Sequence, residues 1–290
     1  MRAKLFAILG LVLLLLCGCA SSQMPEHKNL QQAGYIVENK LLIEHEYCDV
    51  YIRNITETVQ GIAVNFIAEN KTDKIHLWLS GYDTSVNGYM IDAPWGLYID
   101  VGETGEVQML FPAEKLAEHD IETAGEISFS ISGFNDDELV EEYLFFLDFS
   151  IFPTGNEDFK PAERIAAEGE KLLLDNDAIL LIAEDFQQKA NGDCLLTLYA
   201  ENRTDKNLYL GLQDIYVNEQ NINAKSRGYV SANKRLKMQL LLEAEQLAAK
   251  GLENIDQLQG AFKAWYYDNE MHKDIFVVNE LWEIELDDRF

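Results

Sequence analysis

The sequence AENKTDK at residues 68–74 recurs as AENRTDK at residues 200–206, with a single Lys-to-Arg change. In both places it follows a segment of alternating apolar residues, GIAVNFI at 61–67 and CLLTLY at 194–199. A period of two is typical of a β-strand with one buried face, and Asn, Thr and Asp are turn residues. The repeated heptapeptide therefore predicts the same strand and the same turn twice.

The similarity continues beyond this motif, at a spacing of about 130 residues. That period is far longer than a solenoid repeat and is typical of duplicated domains. We place the copies at residues 35–152 and 171–290, and they are called the first copy and the second copy below. The matched pairs are Leu77 with Leu208, Trp78 with Tyr209, Asp83 with Asp214, Leu116 with Leu247, and Glu122 with Glu253.

Each copy predicts several short strands and one short helix. VNGY at 86–89 is a strong hairpin signal, since Asn-Gly readily adopts the positive φ angles of a tight turn. The second copy has Asn218-Glu219 there, so we expect a different turn. Short helices are predicted at 113–119 and 243–250, the latter closed by Gly251. The pattern indicates a mainly β fold of two tandem antiparallel β-sandwich domains of immunoglobulin-like type, with a barrel as the alternative.

Residues 153–170 have the composition of a linker between the copies. PTGNEDFKP at 153–161 is rich in the Pro, Gly, Asn and Asp residues that are typical of loops. The following AERIAAEGEK at 162–171 predicts a short helix with Pro161 at its start.

The chain begins with the pattern of a secretory signal, in which Arg2 and Lys4 precede an apolar run of 14 residues at 5–18. A membrane-spanning helix needs ~20 apolar residues. The end of the run, LCGCASS at 16–22, resembles the signal of bacterial lipoproteins. That resemblance implies a signal peptide at 1–18, removed before Cys19, and a diacylglycerol on Cys19. Residues 19–34 predict a flexible tether. An ordinary secretory signal or an uncleaved anchor is the alternative.

The net charge of the chain argues against nucleic acids as partners. The 50 acidic and 23 basic residues give a net charge of −27, which removes the electrostatic attraction that nucleic-acid binding depends on. The 48% hydrophobic content indicates a folded protein. With the signal, these features predict an extracytoplasmic protein held at the cell membrane by lipid.

The sequence shows no catalytic or metal-binding motif. The histidines are scattered and are expected in exposed loops, and the acidic clusters at 136–142 and 175–177 lack the ligand spacing of a calcium loop. No nucleotide fingerprint or nucleophile motif is present. We therefore expect no cofactor, no metal and no enzymatic activity. The histidines are His27, His45, His76, His119 and His272.

Two cysteines and three Asn-x-Thr sequons have structural interpretations. We expect Cys48 and Cys194 to be buried thiols, and a disulfide between them is the alternative. Asn54, Asn70 and Asn202 are better explained as turn residues than as glycan sites.

The aromatic residues Trp78 and Tyr209 are the candidate ligand contacts. They occupy equivalent strand positions and alternate away from the leucine face, so they predict an outward platform for a protein or a glycan. The alternative is packing under a loop or against the other copy. Other aromatic residues that would extend such a surface are Tyr89, Trp95, Trp265, Tyr266 and Tyr267.

The whole arrangement resembles the uncharacterised tandem β-sandwich lipoproteins of Gram-positive bacteria. The features that carry the resemblance are the lipoprotein signal, the repeated AENKTDK turn, the hairpin at 86–88 and the strand that leads to the helix at 113–120. The resemblance implies a lipid anchor and supplies no catalytic residues. We expect a binding or interaction module, with two alternatives: a structural or envelope-stress component, and a hydrolase with a carboxylate site.

Overall fold

The computed structural model describes residues 34–135 and 143–286, which lie in one compact unit. Cys19, the signal and the acidic cluster at 136–142 lie outside the described residues. The described chain is mainly β, as predicted.

The first copy is built of strands, several of which alternate between buried and more exposed residues, as strands with one buried face do. They are β1 (Glu38–Glu44), β2 (Cys48–Thr58), β3 (Gly61–Asn70), β4 (Leu77–Val86), β5 (Tyr89–Met90), β6 (Trp95–Ile99), β7 (Thr104–Pro112), β8 (Ile127–Asn135) and β9 (Tyr143–Ile151). The predicted helix is α1 (Ala113–Ala117), between β7 and β8.

The second copy has the same elements in the same order. Its strands are β10 (Lys171–Asp175), β11 (Ile179–Gln188), β12 (Cys194–Asn202), β13 (Leu208–Val217), β14 (Gln220–Ile222), β15 (Ser226–Val230), β16 (Arg235–Leu242), β17 (Gln257–Asp268) and β18 (Lys273–Glu285). Its helix is α2 (Ala244–Ala249), followed by Gly251 with a φ of 67°.

Strand pairing is the same in both copies. The sheet β1-β2-β3-β7 corresponds to β10-β11-β12-β16, and the set β6-β4-β8-β9 corresponds to β15-β13-β17-β18. The order β2-β3-β7 with β4-β8-β9 matches the A-B-E and C-F-G strands of immunoglobulin-like sandwiches. The predicted β-sandwich architecture is therefore confirmed.

Each copy encloses its own hydrophobic core. Val64 and Phe66 of β3 face the first core, and Leu196 and Leu198 of β12 face the second, as their alternation predicts. The thiols of Cys48 and Cys194 are free and buried, one in each core. Whether the copies fold as separate domains stays a prediction.

The copies meet where β16 of the second copy pairs in parallel with β5 of the first, at Arg235 and Tyr89. The Arg235 N–H donates to the carbonyl of Gly88 at 2.8 Å, and its guanidinium lies over the Tyr89 ring. An ion pair between Lys234 and Glu126, 3.2 Å apart and largely buried, adds to the junction. One continuous sheet therefore runs from the first copy into the second.

The helix predicted at 162–171 is wrong, because this stretch has no helix in the structure. The Arg164 guanidinium pairs with Glu170 and Glu184 while its side chain is mostly buried. The Ala162 carbonyl accepts a hydrogen bond from Arg235 at 2.8 Å. These tertiary bonds hold the linker in a non-helical path and outweigh its local helix propensity.

His119 is also at the junction, although we expected it in an exposed loop. Its ring stacks on Tyr89 with centroids 4.5 Å apart. Burial, assisted by the nearby Lys237 ammonium, lowers the pKa of His119 to about 4. The imidazole is thus neutral at physiological pH.

The repeated heptapeptide forms an identical polar clamp in each copy, built around an asparagine that is 1% exposed. Asn70 Oδ1 accepts hydrogen bonds from the N–H and the hydroxyl of Thr72, at 3.0 and 2.7 Å. Its amide nitrogen donates to the carbonyls of Ile75, Ile99 and Asp100 at 2.9–3.2 Å. The side chain thus ties the end of β3 to the ends of β4 and β6 in the opposite sheet.

Asn202 repeats these bonds in the second copy. It accepts from the N–H and the hydroxyl of Thr204, at 2.9 and 2.8 Å. It donates to the carbonyls of Lys206, Val230 and Ser231 at 2.7–3.2 Å. The predicted turns at Asn70 and Asn202 are therefore confirmed, whereas Asn54 lies within β2 and not in a turn.

The hairpin turns of the two copies are the same, so the expectation of a different turn in the second copy is wrong. Asn87 and Gly88 have φ values of 50° and 82°, and Asn218 and Glu219 have φ values of 45° and 66°. Asn218 is held by hydrogen bonds from the amides of 256 and 257, as Asn87 is by those of 125 and 126. The tertiary bonds of the asparagine impose the turn even where glutamate replaces glycine.

We expect Asn202→Asp to lower the free energy of unfolding by about 3 kcal/mol or more, because a buried carboxylate would face three carbonyl oxygens without a donor. Urea titration followed by circular dichroism measures the change. Asn279→Asp, at an exposed position of β18, is the control and should change little. Equal stability of the two variants would contradict the structural role of the clamp.

Glu219→Gly should raise the free energy of unfolding by about 1 kcal/mol, since a left-handed backbone costs ~1–2 kcal/mol for a residue with a Cβ. Glu219→Ala serves as the control because it removes the carboxylate and keeps the Cβ. A gain of the same size in both variants would assign the effect to charge instead of backbone strain.

Candidate functional site

Four aromatic side chains form a row across the outer face of the first copy. Tyr98, Trp78, Phe134 and Tyr143 lie on the adjacent strands β6, β4, β8 and β9, and each is paired in register with the next. The ring centroids of Trp78 and Phe134 are 6.5 Å apart, and those of Phe134 and Tyr143 are 5.7 Å apart. We call this row the first aromatic ladder.

The second copy carries the same row at the equivalent positions. Tyr229, Tyr209, Trp265 and Phe276 lie in register on β15, β13, β17 and β18. Successive ring centroids are 5.3, 5.8 and 5.9 Å apart. This row is the second aromatic ladder, and its presence shows that the duplication includes an outward surface as well as the cores.

A glycine next to each tryptophan makes room for the indole on the sheet. A Cβ on Gly96 would lie 2.7 Å from Cζ2 of Trp78, and a Cβ on Gly211 would lie 3.2 Å from Cζ3 of Trp265. Any larger residue at Gly96 would displace the Trp78 ring. Cross-strand aromatic pairs also contribute roughly 0.2–1 kcal/mol each to the sheet, so the ladders have a structural role in any case.

Exposed apolar side chains continue both ladders at their edge strands. Tyr143 is 61% exposed and Phe276 is 55% exposed, although each ends a row of packed rings. By register, exposed apolar residues on the ladder face of these two strands are Phe146 on β9 and Leu281 on β18. Each edge strand therefore adds one exposed apolar side chain to the face that carries its ladder.

The inner end of the second ladder is fastened to the first copy. The Tyr229 hydroxyl donates to Oδ2 of Asp83 at 2.8 Å. Burial raises the pKa of both groups, and the Asp83 carboxylate further raises the pKa of Tyr229. Tyr82 lies on β4, the strand that carries Trp78. Burial raises the pKa of its phenol to about 12, so the phenol stays neutral.

Trp78 and Tyr209 both point outward, opposite the buried leucines of their strands, as their alternation predicts. Of the other aromatic residues predicted to extend this surface, some lie on it and others are buried elsewhere. Trp265 belongs to the second ladder, and Tyr267 is exposed outside it. Trp95 is buried against Phe66 in the first core, Tyr89 lies at the junction, and Tyr266 packs on the second core, so these three do not extend it.

Sequence reasoning missed five members of the ladders, because only strand register brings them together. A signal was nevertheless present. Tyr98 and Tyr229, and also Phe134 and Trp265, have the same spacing as Trp78 and Tyr209. The missed residues are Tyr98, Phe134, Tyr143, Tyr229 and Phe276.

Within residues 34–135 and 143–286, no three His, Cys, Asp or Glu side chains are grouped to hold a metal ion. His272 is exposed as expected, but His45, His76 and His119 are partly buried. Asp175, from one of the acidic clusters, is engaged by Arg203. No helix in the same described ranges has the length and hydropathy of a membrane span.

No family model matches this chain, and no curated protein matches it either. Among solved structures, a conserved domain protein from Bacillus anthracis aligns over 88% of this chain and 93% of its own, with 11% identity and a TM-score of 0.29. The YadV chaperone aligns over 77% of this chain and 92% of its own, with 13% identity and a TM-score of 0.23. Both TM-scores are below 0.5, so neither likeness bears on function.

Proposed function

We propose that this protein is a membrane-anchored, extracytoplasmic lipoprotein that binds a ligand through its two aromatic ladders. The observation that carries the binding role is the repetition of four rings, in the same register, on the outer faces of both copies. Stabilisation of the sheet accounts for the packed rings, but not for the exposure of Tyr143 and Phe276, which are 61% and 55% exposed. The anchoring role is supported by the lipoprotein-like signal and Cys19.

A protein is the ligand class that best suits the ladders. Their edge strands add exposed apolar side chains, such as Phe146 and Leu281, which suit a protein interface more than a sugar. Within the described residues no further strand pairs with the outer edges of β9 and β18, so their main-chain groups are open to an added strand. The net charge of −27 favours a neutral or basic partner.

The substitutions Trp78→Ala and Tyr209→Ala, made together, should abolish capture of a specific protein partner by crosslinking on intact cells. Each ladder would lose a ring that lies in register between two others, and aromatic anchors supply much of the energy of an interface. Tyr216→Ala is the matched control, because Tyr216 lies on the same strand as Tyr209 and is 40% exposed, against 45% for Tyr209.

Circular dichroism must show that both variants are folded. Capture that survives in the double variant would refute the ladders as the binding surface. Binding of purified cell-wall glycan, lost in the double variant and retained in Tyr216→Ala, would instead assign the ladders to carbohydrate.

We expect mass spectrometry of the native protein to find its mature amino terminus at Cys19 with added lipid mass. Cys19→Ala should release the protein from the membrane fraction, since lasting attachment needs the acyl chains. Cys17→Ala is the control and should leave the protein attached. A mature terminus elsewhere, without lipid, would refute the anchor.

A further inference from the structure

The two copies differ at the end of the sandwich that carries the helix. In the first copy this end is covered by residues 35–37, which precede β1. Tyr35 packs against the first core, and its hydroxyl oxygen accepts a hydrogen bond from the Ala124 N–H at 3.3 Å. The Ile36 N–H donates to the carbonyl of Pro153 at 2.9 Å. The segment is therefore anchored by one phenol and one main-chain bond.

The second copy has an open groove at the equivalent end, with a volume of about 670 Å³. We call it the end groove. Its apolar lining comes from β11, β12, α2 and the segments that follow α2 and β18. The apolar lining residues are Phe186, Cys194, Leu247, Leu252, Ile255 and Leu286.

Hydrogen bonds establish that the end groove corresponds to the site of Tyr35. The N–H of Leu252 donates to the carbonyl of Leu247 at 3.0 Å, as Ile121 donates to Leu116. Asn218 accepts from the amides of 256 and 257, as Asn87 accepts from those of 125 and 126. Ile255 thus occupies the position of Ala124, whose N–H meets the Tyr35 hydroxyl.

The end groove also has counterparts of the two main-chain groups that hold residues 35–37, the Ala124 N–H and the Pro153 carbonyl. Among the hydrogen bonds of the described residues, none involves the N–H of Ile255. Leu286, which lines the groove, occupies the position of Pro153 at the end of the last strand. An incoming segment would meet one free amide and one strand-end carbonyl.

The chain upstream of β10 does not fill the groove. By strand register, residues 166–168 correspond to residues 35–37. The linker just before them, together with Ala167, instead lines the cavity at the junction. The Ala167 N–H donates to Glu170 at 2.9 Å, and Arg164 pairs with Glu170 and Glu184. This stretch has no aromatic residue.

We propose that the end groove binds an extended segment of a partner protein, with a tyrosine inserted beside Ile255 and an aliphatic residue after it. The first copy shows which chemistry fits, because Tyr35-Ile36-Val37 occupies the same site there. The rim carries Glu253 and Asp256, so neutral or basic flanking residues suit it best. This proposal is independent of the aromatic ladders, which lie on a sheet face.

The test uses an acetylated and amidated peptide, GYIVQN, titrated into the full chain; it follows residues 34–39 with glutamine in place of Glu38, because the rim of the groove is acidic. We expect saturation at one site, with a dissociation constant on the order of 100 µM, and a shift of the Ile255 amide resonance. A peptide with alanine in place of tyrosine should bind at least about tenfold more weakly.

Ala248→Trp is the blocking variant, because Ala248 is exposed and lines the groove. It should weaken peptide binding by about tenfold or more, since a tryptophan would occupy the space of the tyrosine. Ala249→Trp places the same side chain one residue further along α2, at an exposed position outside the lining, and should leave binding unchanged.

Two results would overturn the proposal. One is the absence of saturable binding, or binding that Ala248→Trp does not change in a folded protein. The other is binding that appears only after Phe290→Ala, which would show that residues 287–290 of this chain fill the groove instead of a partner.

Discussion

The buried amide of Asn70, and its repeat at Asn202, is the constraint on which each sandwich depends. A side chain that is 1% exposed and bonded on both ends joins the last residue of one strand to backbone carbonyls of the opposite sheet. Hydrophobic burial brings two sheets together but has no direction, so it does not set their offset. The asparagine supplies that direction, because only one alignment satisfies its donors and its acceptor.

At the junction, equivalent strands of the two copies have different roles. β5 of the first copy extends the β16 sheet of the second, and β14, its counterpart, has no such neighbour in the described chain. Arg164, Glu170 and Glu184 form a mostly buried charged group beside this contact. Buried charges are costly unless paired, so the linker has little freedom to leave this arrangement.

Comparison of the copies separates what was retained from what diverged. The clamp, the hairpin turn and the aromatic ladders keep their geometry although most residues around them differ. The end of the sandwich that carries the helix differs between the copies. Tyr35 covers it in the first copy, whereas in the second copy the linker that would cover it is held at the junction. The duplicated fold therefore presents an aromatic ladder in both copies, but an open groove at the helix end in the second copy alone.

The sequence by itself determined the mainly β fold, the duplication and the outward direction of Trp78 and Tyr209, because strand period and turn chemistry are local. Local propensity failed at residues 162–171 and at Glu219, where tertiary bonds to Arg164 and Asn218 outweigh it. The ladders and the end groove were decided only in three dimensions. Both depend on strand register and on which segment covers a sandwich end, and these are set by contacts between residues far apart in the chain.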